Sequence, residues 1–193
     1  HTGLSVVCVD GRGTGFRGKK FASVVYKNLG KYETEDQIAA ARYVASLPYV
    51  DASKIGIFGW SFGGYETLMA MTAPGNPYAA GIAVAPVTDW RLYDSVYTER
   101  FMLTPQQNSV GYDASSTLGR IKNLKGNLLI VSGTADDNVH IANTFEFVSE
   151  ATSQNKILDM MVYPNKNHFI NGCETRLALY TKLLDYFNRN LKK

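Results

Sequence analysis

The sequence predicts an α/β protein built on a doubly wound, mostly parallel sheet. Apolar runs typical of buried strands alternate with helical stretches along most of the 193 residues. One strand passes through a glycine-rich turn directly into a helix, and polar loops follow the later strands, where sheets of this kind bind their ligands. A chain of this length can form one domain with a substantial core.

The predicted elements begin with a strand over Leu4–Val9, a continuous apolar run of the kind that a parallel sheet buries on both faces. So early a buried strand leads us to expect further strands before it, in a longer protein. A helix follows Thr34, because Thr34-Glu-Asp-Gln37 has the pattern of a capping box. The remaining predicted elements are a strand over 55–58, a helix over 64–73, strands over 80–85, 127–132 and 158–163, and a C-terminal helix over 175–191.

Composition argues against several functional classes. The net charge of +3 is spread along the chain and forms no basic patch, so we expect no nucleic-acid partner. No apolar run approaches the roughly 20 residues that a membrane-spanning helix needs. The two cysteines, Cys8 and Cys173, give neither a disulfide framework nor a metal-binding spacing.

A glycine-rich stretch follows the first predicted strand. Gly13-Thr-Gly-Phe-Arg-Gly18 matches G-x-G-x-x-G, a pattern found in dinucleotide sites. Such a site needs a helix that begins directly in the glycines, and residues 19–25 carry no clean helical stripe. We therefore favour a glycine-rich loop near the mouth of another kind of site, and we predict no cofactor.

Gly59-Trp-Ser61-Phe-Gly63 fits G-x-S-x-G between a predicted strand and a predicted helix, which is the context of a nucleophile elbow. The sharp turn would hold the serine in a strained conformation, and side chains at the flanking glycines would collide with the strand and the helix. We predict that Ser61 is a nucleophile. The alternative is a glycine-rich turn with an incidental serine.

A serine nucleophile needs a base. His168 lies in the loop after the last predicted strand, so it should overhang the same sheet edge as Ser61. His1 is terminal and His140 stands at the start of a helix, which makes both weaker candidates.

The base in turn needs an acid to orient it, and in this chain order the acid follows the serine and precedes the histidine. Asp136 and Asp137 both occupy that position, and one of them is expected to cap the next helix. The residues alone leave the choice open. A metal site made of these aspartates with His140 and His168 is disfavoured, because no recognised ligand spacing is present.

Aromatic residues follow the strand over 80–85. Tyr93 and Tyr97 are four residues apart and would share one helical face, close to Trp90. Single aromatic rings usually pack in a core. Their position after a strand end nevertheless favours a pocket wall.

Several long motifs together resemble the α/β-hydrolase catalytic domain of the dipeptidyl peptidase IV-like enzymes in the prolyl oligopeptidase family of serine peptidases. The likeness runs from about residue 9 to the C terminus. It is carried by residues 59–65, 82–87, 93–100 and 133–140, with residues 10–13 and 35–37 belonging to the same pattern.

The resemblance implies a catalytic triad of Ser61, Asp136 and His168, with the backbone N–H of Phe62 as one oxyanion donor. It implies that Asn138 holds a substrate carbonyl. It also implies a pocket for a penultimate proline, built from Tyr93, Tyr97, Val87, Trp90 and Val139. The implied activity is release of N-terminal Xaa-Pro or Xaa-Ala dipeptides through an acyl-enzyme on Ser61. The alternatives are a tripeptidyl or acylaminoacyl peptidase, an esterase of the same fold, or a binding module that has lost catalysis.

The resemblance further implies that residues 1–193 are the α/β-hydrolase catalytic domain of a larger protein. The family's β-propeller, its acidic pair for the substrate amine and its oxyanion tyrosine would all lie upstream. A homodimer and an exported protein, periplasmic or extracellular, are expected on the same basis. The chain departs from the family in Phe62, where relatives often carry tyrosine, and in Phe169, where many carry glycine.

Overall fold

The computed structural model describes residues 3–192. Within them lie four strands and seven α-helices. The strands are β1 (Gly56–Trp60), β2 (Ala80–Val84), β3 (Asn127–Gly133) and β4 (Asp159–Tyr163). The helices are α1 (Lys19–Ser23), α2 (Lys31–Ala45), α3 (Phe62–Met71), α4 (Ser95–Met102), α5 (Ser109–Ser115), α6 (Ala142–Ser153) and α7 (Cys173–Leu191).

The four strands form one sheet in the order β1-β2-β3-β4, and every neighbouring pair is parallel. In this register Trp60 lies opposite Val84, which in turn lies opposite Val131. Because all four strands run in the same direction, the loops that follow them emerge at one edge of the sheet. The predicted parallel α/β sheet is confirmed.

Helices cover both faces of this sheet, because successive side chains of β3 point into two different cores. Leu128 and Ile130 point into a core shared with α2, α3 and α6. Leu129 and Val131 point into a second core, which α7 covers. Burial on both faces explains why β2 and β3 read as continuous apolar runs.

A third core lies beneath the loop that follows β2. Trp90 and Tyr65 are buried at its centre, and Tyr112 closes it from α5. Val25 and Leu29 also pack in it, so the segment after the glycine-rich loop lies against this aromatic core. The third core supports the residues around Ser61 from below.

The predicted strand over Leu4–Val9 is wrong, since no strand is assigned between residues 3 and 55. The segment is largely exposed, with Val6 at 92%. A strand is defined by the ladder it forms with a neighbour, and within residues 3–192 β1 pairs only with β2. An apolar run signals a tendency to be buried and does not supply that neighbour.

The predicted capping box at Thr34 is also wrong. Helix α2 begins at Lys31, with Gly30 before it in a left-handed conformation. Thr34 therefore lies inside the first turn, and its hydroxyl donates to Oε2 of Glu66 on α3 at 3.3 Å. A glycine before the helix took the place of a side-chain cap.

Candidate active site

The turn between β1 and α3 has the geometry of a nucleophile elbow. Ser61 stands there with φ 60° and ψ −116°, a conformation that costs a residue with a side chain about 1–3 kcal/mol. The turn is fixed on both sides, because the Ser61 N–H donates to the carbonyl of Val84 at 2.8 Å and the Ser61 carbonyl accepts from Tyr65 N–H at 3.0 Å. The strand and the helix thus hold Ser61 in a strained conformation that it would not adopt alone.

The glycines around Ser61 have unequal roles. A Cβ on Gly59 would lie 1.9 Å from the carbonyl oxygen of Gly63, and one on Gly64 would lie 2.7 Å from that of Val84. A Cβ on Gly63 would meet nothing within 4 Å. The predicted collision is therefore confirmed for the first motif glycine, while the second tight position is Gly64 rather than Gly63.

His168 and Asp136 form a buried pair. Nδ1 of the imidazole lies 2.9 Å from Oδ2 and 3.1 Å from Oδ1 of the carboxylate. A carboxylate can only accept, so Nδ1 carries the proton and Nε2 is left as the basic nitrogen. Of the two aspartates left open by the sequence, Asp136 contacts the histidine, and Asp137 is exposed.

Asp136 is held by the loop in which it stands. Its Oδ1 also accepts from the backbone N–H groups of Asn138, at 2.9 Å, and Val139, at 2.8 Å. The loop after β3 is tied to the loop after β4, since Ala135 N–H donates to the Lys166 carbonyl at 3.0 Å. These bonds fix the carboxylate and the imidazole relative to each other.

Ser61 and His168 line the same cavity, which has a volume of about 430 Å³. Among residues 3–192 the Ser61 hydroxyl makes no hydrogen bond, to His168 or to any other group. Catalytic hydrogen bonds are often long before substrate binds. The cavity is lined by Trp60, Ser61, Asn138, His168, Phe169, Arg176 and Tyr180.

Phe62 is the first residue of α3, so its N–H has no carbonyl within the helix to bond. The N terminus of a helix favours a negative charge. Within residues 3–192 the Phe62 N–H donates no hydrogen bond, so it is available beside Ser61, as an oxyanion donor would be. Its ring packs on Trp90, with centroids 5.7 Å apart.

The residues predicted to form a proline pocket do cluster, in two layers. The lower layer is the floor of the cluster, and its residues are at most 2% exposed: Val87, Trp90 and Val139. Tyr93 and Tyr97 lie above them, half-buried, with Tyr97 stacked on Trp90 at 5.9 Å. The two tyrosine rings meet edge to face at 5.4 Å.

Asn138 joins this aromatic layer to the cavity at Ser61. Its side-chain oxygen accepts from the Tyr93 hydroxyl at 2.6 Å, and the residue lines the cavity. Tyr93 itself precedes α4, which Asp94 caps by accepting from Tyr97 N–H at 2.8 Å. Burial raises the pKa of both tyrosines above the ordinary value, so both rings keep their protons at neutral pH.

Two residues that position the site were missed from the sequence. The Trp60 indole N–H donates to the carbonyl of His168 at 3.1 Å, so the residue before the serine holds the histidine loop. Buried Asn143 of α6 accepts from Thr88 N–H at 2.9 Å and donates to the Leu92 carbonyl at 3.3 Å, which ties down the aromatic loop. Trp60 could have been noticed as the aromatic residue inside the serine motif, whereas Asn143 gave no local signal.

A pair of buried glutamates is formed by Glu33 on α2 and Glu66 on α3, the helix that follows the elbow. Burial raises the pKa of Glu66 well above its usual range, and the neighbouring carboxyl of Glu33 adds to the effect. The pKa of Glu33 is also raised, mainly by burial. One oxygen of each carboxyl has no hydrogen-bond partner among residues 3–192.

Residues 3–192 contain neither a helix of membrane-spanning type nor a cluster of metal-binding side chains. No helix there is long and apolar enough to cross a membrane. In the same residues, no three or more side chains of the metal-binding types are grouped as a metal site would require.

Comparison with known proteins identifies relatives along the whole chain. The model of the prolyl oligopeptidase family matches residues 1–193. A probable dipeptidyl-aminopeptidase B from Ajellomyces capsulatus is 47% identical over 188 residues, which are 95% of this chain and 20% of that protein. Dipeptidyl aminopeptidase B of Saccharomyces cerevisiae is 46% identical over 188 residues, covering 95% of this chain and 23% of its own length.

Solved structures agree with these matches. The crystal structure of Porphyromonas gingivalis dipeptidyl peptidase 4 superposes with a TM-score of 0.94 at 55% identity, covering 95% of this chain and 26% of that one. A putative dipeptidyl aminopeptidase IV from Bacteroides ovatus gives 0.90 at 36% identity, covering 94% and 26%.

This chain thus spans only about a fifth to a quarter of the length of these relatives. The likeness nevertheless covers nearly all of it, in sequence and in structure, and confirms the α/β-hydrolase fold. The chain belongs to the prolyl oligopeptidase family.

Proposed function

We propose that this chain carries the catalytic centre of a serine dipeptidyl peptidase, which releases Xaa-Pro or Xaa-Ala dipeptides from the N terminus of peptides. The observation that carries the proposal is the hydrogen bond between His168 Nδ1 and Asp136 in a loop that shares a cavity with strained Ser61. Relatives named dipeptidyl peptidases over almost the whole chain support the same reaction.

In the proposed reaction Ser61 Oγ attacks the carbonyl carbon of the second substrate residue, while Nε2 of His168 takes the hydroxyl proton. Asp136 stabilises the imidazolium that forms. The oxyanion of the tetrahedral intermediate accepts from the Phe62 N–H. His168 then gives its proton to the leaving amine, and the dipeptide remains as an ester on Ser61. Water, deprotonated by the same imidazole, hydrolyses that ester and restores the serine.

Proline as the second residue suits the aromatic layer formed by Tyr93 and Tyr97 over Trp90. Proline is rigid and apolar, and its nitrogen carries no hydrogen when acylated, so it buries against aromatic rings without leaving an unpaired donor. The Asn138 amide, held by Tyr93, is a donor for a substrate carbonyl.

Labelling and cleavage test the proposal, with protein expressed from the complete gene. We expect a fluorophosphonate to label the wild type stoichiometrically and the Ser61→Ala variant not at all. Undiminished labelling of Ser61→Ala would reject the assignment. Chromogenic substrates with Gly-Pro, Ala-Ala-Pro and acetyl-Ala acyl groups then separate dipeptidyl release from tripeptidyl and acylaminoacyl activity. Cleavage of Gly-Pro at least tenfold faster than the other two is the expected result.

We further propose that residues 1–193 form the catalytic domain of a longer, homodimeric protein with a β-propeller upstream. The small share of each relative that the chain covers supports a longer protein, whereas the propeller and the dimer rest on the family resemblance. The mass of the complete gene product in solution tests the dimer.

A further inference from the structure

The cavity at Ser61 extends away from the aromatic layer. Its far wall is made by residues that neither the triad nor the proline pocket uses, namely Phe169, Arg176 and Tyr180. Phe169 follows His168 directly, and the other two stand on α7. Tyr93 and Tyr97 do not line it. The cavity therefore begins at the serine and runs past the histidine towards α7.

The proposed reaction determines which part of a substrate lies on the α7 side of the cavity. The imidazole that takes the serine proton must deliver it to the leaving amine, so the leaving amine sits beside His168. The residues that follow the cleaved bond then continue beyond His168, whereas the acyl half lies against the aromatic layer. The wall made by Phe169, Arg176 and Tyr180 faces the peptide that is released.

Arg176 is the charged group on this wall, and it has only neutral partners. Its Nη1 donates to the Tyr180 hydroxyl at 3.3 Å, its Nη2 donates to Oδ1 of Asn171 at 3.2 Å, and its guanidinium lies over the Trp60 ring at 5.5 Å. No carboxylate within residues 3–192 forms an ion pair with it. These contacts leave several of its five N–H donors free.

Helix stability does not explain an arginine at this position. Arg176 is the fourth residue of α7, near the N terminus, where the helix dipole disfavours a positive charge. By contrast, Arg12, Arg91 and Arg189 each pair with a carboxylate. Three neutral contacts hold the Arg176 side chain in place, so its charge is preorganised for a ligand.

We infer that Arg176 binds an anionic group on the released peptide, so that the site prefers substrates with a carboxylate shortly after the cleaved bond. The inference rests on the proposed function and adds to it the chemical class of the leaving group. The carboxylate can be the C terminus of a short substrate or the side chain of Asp or Glu, since a guanidinium binds both in the same way.

Three matched peptides distinguish these sources: Gly-Pro-Ala-Gln-amide, Gly-Pro-Ala-Glu-amide, and Gly-Pro-Ala-Gln with a free C terminus. The quantity compared is the ratio of kcat/KM between an anionic peptide and the neutral one. We expect wild type to prefer at least one anionic peptide by about five- to tenfold, the range for a partly exposed charged hydrogen bond. The preference should shrink in about 0.5 M salt.

Variants of Arg176 assign that preference. Arg176→Gln should bring the ratio close to one, and Arg176→Lys should keep part of it because the charge remains. Arg189→Gln, on the exposed surface of the same helix, is the control and should keep the wild-type ratio. A wild-type ratio near one for both anionic peptides, or a preference that survives Arg176→Gln, overturns the inference.

Binding separates this inference from the proposed function. Calorimetry of the three peptides with the Ser61→Ala variant measures the anion preference without catalysis. If wild type cleaves none of the peptides, the proposed function fails. The anion site is still supported if the Ser61→Ala variant binds an anionic peptide more tightly than the neutral one and the double variant Ser61→Ala, Arg176→Gln does not. Equal binding of all three peptides rejects the anion site.

Discussion

Asp136 accepts from three donors at once. Two are the backbone N–H groups of Asn138 and Val139, and the third is the His168 imidazole. The same carboxylate thus shapes its own loop and orients the imidazole of His168, which lines the cavity at Ser61. The expectation that one of the two aspartates caps the next helix is wrong, because α6 begins at Ala142 and no aspartate side chain caps it.

Exchanging each aspartate for asparagine separates the pair. Asp136→Asn removes the negative charge beside the imidazolium and favours the wrong tautomer, so we expect kcat/KM on a Gly-Pro substrate to fall by about 10³–10⁴. Asp137 is exposed and its side chain makes no hydrogen bond within residues 3–192, so Asp137→Asn should change the rate less than about twofold. Steady-state kinetics of both variants provides the measurement. A larger loss in Asp137→Asn would contradict the assignment.

At the scale of elements, the elbow depends on how closely β1 and α3 approach. Gly59 is the last residue but one of β1, and its Cα faces the carbonyl of Gly63 in the first turn of α3. Gly64 meets the carbonyl of Val84 on β2 in the same way. The strain at Ser61 is therefore maintained by backbone packing on both sides of the turn.

This packing predicts opposite outcomes for two glycines of one motif. Gly59→Ala places a methyl group 1.9 Å from a carbonyl oxygen, so α3 must move and fluorophosphonate labelling should be lost. Gly63→Ala meets nothing within 4 Å and replaces a poor helix former, so it should keep labelling and gain up to about 1 kcal/mol of helix stability. Labelling and the thermal midpoint of each variant are the measurements. Equal behaviour of the two variants would show that the close approach is not needed.

Across the molecule, the features that could be predicted from the sequence were those that depend on residues close together in the chain. The strand, turn and helix around Ser61 could be predicted, and so could the loops after consecutive strands that bring His168 and the aspartates to the same edge of the sheet. Tyr93 and Tyr97 did meet, although Tyr93 lies before α4 and not on it. These outcomes follow from parallel topology, which gathers strand ends regardless of their separation in the chain.

What the sequence did not reveal depends on contacts between distant segments. The strand predicted over Leu4–Val9 does not form, because a strand requires a neighbour to pair with. Thr34 does not cap α2, because the helix begins after Gly30, and its hydroxyl instead donates to Glu66. Asn143 clamps the loop after β2 from a helix 55 residues away, with no periodicity to mark it. Contacts of this kind exist only after the chain has folded.

The buried glutamates give the whole molecule a pH dependence with a definite sign. Because burial raises the pKa of Glu66 in the folded protein, the folded state keeps a proton that the unfolded chain releases near its ordinary pKa of about 4.3. The stability tied to Glu66 is therefore fully present below that value. It declines as the pH rises towards the folded-state pKa. Glu33 changes in the same direction, whereas the positive charge of Arg120 opposes the shift at Glu66.

We expect Glu66→Gln to remove much of this decline, because an amide replaces the acid without a proton to lose. The protein is heated in buffers between about pH 5 and about pH 8, and the remaining activity is then measured by fluorophosphonate labelling at one common pH. The midpoint is the temperature at which heating halves that labelling. The wild-type midpoint should fall more steeply with pH, leaving the variant roughly 3 °C higher at the alkaline end. Glu146→Gln, at an exposed position on α6, should follow the wild type. Parallel curves for wild type and Glu66→Gln would mean that Glu66 is ionised in both states, and its burial would then have to be balanced by Arg120.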